Sequence, residues 1–216
     1  LMVVAAINTY AYLDLTVIGV SDAAAGLAAA GTLTITGPAS SQGVVSLWVG
    51  NTRVDVAVSA ADTATAIAAA MKTAIDNQPE LPVTAAVAAG VLTLTAKNKG
   101  AAGNGIRLRA KTTATGTTTA VAAMADGDID PDIAPALANV VAAGHNIIIS
   151  PFATQATLTT LRTHLDFVSG PMEQRGAIGV AGWTGTLAAG TTLASQLNGG
   201  RITLGWHNGS VMLSAE

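Results

Sequence analysis

The sequence contains no cysteine, which excludes disulfides, thiolate catalysis and cysteine-ligated zinc. Aromatic residues make up only 3% of its 216 residues and charged residues 11%, and there are three histidines in all. No apolar run approaches the roughly 20 residues that a bilayer-spanning helix needs. The 50% hydrophobic content, much of it alanine, therefore does not read as a membrane protein. Leu1–Ala6 is apolar but short, and it lacks the basic flank and cleavage site of a signal peptide. Formal net charge is −3, a poor footprint for duplex nucleic acid, which asks for clustered Lys and Arg. Lys97, Lys99, Arg107, Arg109 and Lys111 form the only mild basic cluster. Few charges beside abundant Ala, Thr and Gly suggest a surface covered by neighbours. Leu1–Ile7 reads as the inside of a helix with no cap before it, so a fragment of something longer is expected.

What is present is organised around His145-Asn146-Ile147-Ile148-Ile149-Ser150-Pro151. A short apolar run between turn signals reads as a strand buried on both faces. Leu158, Leu161, Leu165 and Val168 then form a helical stripe closed by Gly170-Pro171, and Ala177–Ala181 supplies another strand. A further short helix, capped at Thr191 or Thr192 and running to Leu197, precedes a strand at Arg201–Trp206. Asp130-Pro131 sets a helix start upstream of the central strand. Such α and β alternation predicts a parallel sheet with helices on its faces, and Leu13–Val20 is expected to join it.

Between these parts the texture changes. Thr32–Thr36, Val44–Val49 and Arg53–Val58 alternate strictly, the last two joined by a hairpin turn at Gly50-Asn51-Thr52. Ser59-Ala60-Ala61-Asp62 resembles a capping box opening a helix to Asp76-Asn77. Val83–Val87, Val91–Ala96 and Ile106–Arg109 read as further strands, and Thr112–Thr119 as a linker. The expected fold class is therefore α/β: a parallel-sheet α/β sandwich core from residues 1–30 and 113–216. A small inserted α+β domain, mainly antiparallel β plus one helix, occupies 31–112.

No candidate site yields a catalytic, cofactor or metal assignment. Gly100–Gly105 has no Lys-Ser/Thr and precedes a strand, so it reads as a tight turn and not as a phosphate cradle. Gly176, Gly179 and Gly182 have the wrong spacing for a dinucleotide fingerprint. Asp126–Asp132 starts like a calcium loop, but Pro131 and Leu137 stand where an EF-hand needs Gly and Glu. Capping and solvation explain that run better, with a looser calcium site as the alternative. Ser150 ends a strand, yet no G-x-S-x-G elbow supports a hydrolase. His145, His164 and His207 show no H-x-x-x-H pair. Trp183 and Trp206 serve a core or a contact surface.

The order of parts is more telling than any site. Three stretches carry a resemblance. They are Thr32–Val58 with Asp62–Ile75; Val91–Gly100 through Gly103–Arg109; and Asn146–Phe152 through Gln174-Arg175-Gly176 to Asn198-Gly199-Gly200-Arg201-Ile202. In these the chain resembles the contractile tail sheath proteins of Mu-like bacteriophages and prophages. The resemblance implies a non-enzymatic structural subunit, without cofactor or metal, whose partners are copies of itself and a tail tube protein. Neither nucleic-acid binding nor membrane insertion is implied. It implies a place in the virion tail after assembly in the host cytoplasm, and contraction that drives the tube through the host envelope. In that family terminal arms exchange strands between subunits. The arms are missing here, so this chain is expected to be monomeric or weakly associated. The alternatives are a Thr-rich binding module of a surface or secreted protein, and an α/β hydrolase- or nucleotide-binding-like domain.

Overall fold

The computed structural model describes residues 15–207. The expected helix end at residues 1–12, the first two residues of the strand expected at 13–20, and the terminal Ser214-Ala215-Glu216 lie outside the described residues. The chain divides into two units, one of residues 25–129 and one of residues 1–24 with 130–216. They are called here the β-rich unit and the βα unit.

The β-rich unit begins with β1 (Ala30–Thr36), β2 (Gly43–Val49) and β3 (Thr52–Val58). In β1 the alternation Leu33, Ile35 inward and Thr32, Thr34 outward is the period-2 pattern of a half-buried strand. The two-residue turn Gly50-Asn51 sets the β2–β3 register, pairing Val49 with Thr52 and Trp48 with Arg53. Helix α1 (Ala64–Asp76) follows, and it buries Ile67, Ala68, Met71 and Ile75. Its cap is Thr63, whose hydroxyl accepts from the Ala66 amide, one residue beyond the box expected at Ser59–Asp62. Half of that box does form, since the Asp62 carboxylate accepts from the Ser59 amide at 2.7 Å.

Strands β4 (Val83–Ala88) and β5 (Val91–Ala96) form a hairpin whose turn holds Ala89 and Gly90 at positive φ, the conformation of a primed turn. A 3-10 turn at Ala101–Gly105 leads to β6 (Leu108–Thr112) and β7 (Thr118–Ala125). Strand β7 begins in the last two residues of the expected linker and runs on through residues where no strand was expected. The strands make two sheets of order β4-β5-β1-β7 and β3-β2-β6, every pairing antiparallel.

The βα unit contains α2 (Ala134–Val140), β8 (Ile147–Ser150), α3 (Gln155–Val168), β9 (Ile178–Trp183), α4 (Leu187–Leu197) and β10 (Ile202–Trp206). Helix α2 starts later than Asp130-Pro131, and the Asp132 carboxylate accepts from the Ala134 amide. The cap of α4 is Thr186 and not the expected Thr191 or Thr192, so the helix starts more than a turn earlier. Gly190 sits inside this helix because the indole of Trp183 lies against it. A Cβ there would stand 2.7 Å from Trp183 Cδ1. Leu137, Leu158, Leu161, Leu165, Leu193 and Leu197 form the core, with Ile148, Trp183, Ile202 and Leu204 packed on it.

The expected parallel-sheet α/β sandwich core is not what forms. Among the described residues seven of the ten strands lie in wholly antiparallel sheets, and the parallel sheet has three short strands, ordered β10-β9-β8. Residues 15–20 carry no strand. Both crossovers step in the same direction across the sheet, so right-handed connections place α3 and α4 on one face. The opposite face bears Ile147, Ile149 and Ile178 at 61%, 57% and 46% exposure. Strand β8 is therefore covered on one face and not, as expected, on both.

Candidate functional site

The strand ends of the parallel sheet hold the residues that the sequence singles out. Ser150 is buried, and its hydroxyl accepts from the Phe152 amide and donates to the Phe152 carbonyl. Those two bonds make a local turn that starts the chain toward α3. The Trp183 indole N–H donates to the Thr186 carbonyl at 2.9 Å, and the Trp206 indole to the Gly185 carbonyl at 2.9 Å. Two tryptophans thus tie down the loop between β9 and α4. The His207 amide continues the ladder by donating to the Trp183 carbonyl.

His145 and His164 meet at a cavity of about 10 Å³, also lined by Val141, Val168 and Arg175, space for about one water. Nε2 of His145 is buried and has no hydrogen-bond partner. The Arg175 guanidinium donates to the Val141 carbonyl and to the Glu173 carboxylate. Burial first, and then the Arg175 charge, hold the pKa of His164 below its ordinary value. An unfolded histidine titrates near about 6.5, so the unfolded state takes up the proton first as pH falls. Stability is then complete above that value and declines below it. Urea unfolding at about pH 7.5 and pH 5.5 should show a loss of stability on acidification that His164→Gln reduces.

The glycine cluster and the acidic run are linked structurally. The side chain of Asn104 donates to the Gly127 carbonyl at 2.9 Å and accepts from the Gly127 amide at 2.8 Å. Leu27 and Asp128 exchange two backbone hydrogen bonds beside it. One oxygen of Asp128 accepts from the Ile129 amide, and Asp132 is the cap already described. Among the described residues no group of three or more His, Asp or Glu is placed to hold a metal ion. No helix there is long and apolar enough to cross a membrane.

A polar constellation that sequence reading missed lies on the outer face of the β3-β2-β6 sheet. Trp48 pairs across the strands with Arg53 on one side and Arg109 on the other. Their guanidinium carbons stand 5.4 and 5.7 Å from the indole centroid, within cation–π range. In the next row Ser46 pairs with Asp55 and Lys111. Arg53 donates to the Asp55 carboxylate at 2.7 Å and to the Ser46 hydroxyl at 3.2 Å. The hydrogen bond with Ser46 is the largest cause holding Asp55 below the usual carboxylate range; desolvation opposes it, and the hydrogen bond and charge of Arg53 add to the lowering. The hairpin turn could have placed Trp48 opposite Arg53 from sequence. The β2–β6 pairing joins residues about sixty positions apart, so no local signal could have added Arg109 and Lys111.

No family model matches the chain. Against curated proteins it is 34% identical over 191 residues to the Mu-like prophage FluMu tail sheath protein of Haemophilus influenzae, with 86% of this chain matched. The chain is related to a Mu-like tail sheath protein. It spans about 39% of that relative's length. Among solved structures, the flagellar cap protein FliD D2–D3 domains of Escherichia coli align at 18% identity and a TM-score of 0.23. They cover 51% of this chain and 74% of that one, a likeness too slight to bear on the fold.

Proposed function

We propose that this chain is part of a structural subunit of the contractile tail sheath of a Mu-like phage or prophage. The subunit assembles with its own copies around a tail tube, and contraction of the assembly drives the tube through the host envelope. The observation that carries this reading is the 34% identity to a tail sheath protein over 86% of the chain. The low charge content fits subunits whose surfaces are largely covered by neighbours. Movement in such an assembly is carried at interfaces between packed units, because packed cores do not deform continuously. The role asks for no chemistry. The place of action is the virion tail, after assembly in the host cytoplasm. Electron microscopy of the full-length gene product expressed alone tests the proposal. Hollow tubes or stacked rings are expected, and a particle that stays monomeric at high concentration would overturn it.

A further inference from the structure

We infer that the outer face of the β3-β2-β6 sheet is a docking surface for the acidic βα unit of a second copy of this chain, in a head-to-tail contact. This rests on the sheath reading for the identity of the partner; the face itself is argued from the structure.

Arg53, Arg109 and Lys111 are exposed on this face, with Trp48 half-buried between the two arginines. Arg53 is neutralised by Asp55. Arg109 and Lys111, two residues apart on one strand, make no ion pair among the described residues. The face thus presents two unneutralised cations beside an aromatic ring. Tryptophan and arginine are the residues that most often carry interface energy. Contact with the indole and with Ser46 also orders Trp48 and Arg53 in advance, so less side-chain freedom is lost on docking.

The complementary charge is in the same chain. The β-rich unit holds seven of the ten Lys and Arg against six Asp and Glu, a formal +1. The βα unit holds three against seven, a formal −4; among its carboxylates Asp132, which caps the start of α2, and Asp166, which pairs with Arg162 on its own helix, are exposed. A basic face on one unit and an acidic partner on the other describe a contact between two different surfaces. Repeated from copy to copy, such a contact gives rings or helical filaments and not a closed dimer. Carboxylates are the ligands that arginine holds best, through paired charge-assisted hydrogen bonds.

Sedimentation velocity of the 216-residue chain tests this. Concentration-dependent association is expected at low ionic strength. It should be lost near 1 M salt, where the screening length falls to about 3 Å. R109E/K111E should weaken association at least about tenfold, and the neutral R109Q/K111Q should weaken it less. Both variants should keep the wild-type circular dichroism, because the altered side chains are exposed. K72E/K97E changes the charge equally away from this face and should associate as wild type does. A trace of R109E/K111E added to wild type should shorten the oligomers, since its acidic unit still docks while its own face accepts nothing. Four results with the 216-residue chain would overturn the inference. They are equal association by R109E/K111E, equal weakening by K72E/K97E, a wild-type chain that stays monomeric at low salt, and binding of polyglucuronate by the face without any self-association. Tubes from the full-length protein that persist with R109E/K111E would defeat this inference alone. Absence of tubes from the wild-type full-length protein would defeat the sheath reading.

Discussion

Leu161→Ala should destabilise the βα unit by about 2–5 kcal/mol, the range for removing a fully buried leucine from a close-packed core. Leu161 is 0% exposed at the centre of α3. Its Cδ2 lies 2.9 Å from where a Cβ on Gly179 would stand, so it packs directly onto the backbone of β9. The neighbouring Leu158 and Leu165 are held by the same core and cannot collapse into the space without leaving their own contacts. A domain of this size is stable by only about 5–15 kcal/mol, so the change would consume a large part of the margin. Denaturant unfolding gives the magnitude, and hydrogen exchange of the α3 and β9 amides gives its location. Phe167→Ala on the same helix is the control, because Phe167 is 56% exposed. It should stay within about 0.5 kcal/mol of wild type. Equal effects from the two substitutions would show that the α3 stripe is not the core.

Gly127→Ala should destabilise the β-rich unit by at least about 2 kcal/mol, although glycine-to-alanine changes at permissive positions stabilise by about 0.4–1 kcal/mol. The sign is set by what the methyl group meets. It would stand 2.5 Å from the Gly100 carbonyl oxygen and 2.9 Å from Asn104 Oδ1. The first is backbone and cannot turn aside. The second belongs to the side chain that grips both the amide and the carbonyl of Gly127. Moving either partner leaves part-buried polar groups unpaired, at about 1–3 kcal/mol each. Asn104→Ala alone should cost about 1–3 kcal/mol. The double variant should lose little more than Gly127→Ala alone, because both substitutions break one clamp. Full additivity in thermal or urea unfolding would show that the clamp and the clash act separately.

The same clamp shows how much of the chain could be read in advance. Gly100–Gly105 was legible as a turn, because glycine density and the lack of Lys-Ser/Thr are local facts. That Asn104 reaches Gly127, and so ties this turn to the start of the acidic run, is a contact across 23 positions. Periodicity carries no trace of it. Helix α3 was legible almost to the residue, since its leucine stripe and its closing Gly-Pro lie within one stretch. The start of α4 was not, because Gly190 reads as a breaker until Trp183 is seen packed against it. Strand β7 was missed for a related reason. Its alanine-rich sequence has weak strand character, and it is held in place by pairing Val121 with Leu33 and Thr119 with Ile35 of β1.

The candidate face divides in the same way. The turn at Gly50-Asn51 is enough to set Trp48 opposite Arg53, and alternation is enough to put both on the outer side. Arg109 and Lys111 join them only because β6 pairs with β2. The βα unit makes the point at the scale of a sheet. The isoleucine run at 147–149 was readable as a strand, but its burial on both faces was not, because a run of apolar residues does not say how many layers will cover it. The handedness of two successive crossovers placed both helices on one side.

By itself the sequence determined the absence of thiol chemistry, the hairpins and the helical stripes. These depend on residue type and on spacings shorter than a helix or a hairpin. Only the tertiary structure decided which strands are neighbours, that most of the sheet is antiparallel, and that Trp48 stands between two arginines. Pairing between distant strands is chosen by the burial that the whole chain can achieve together, and no short window of residues contains that information.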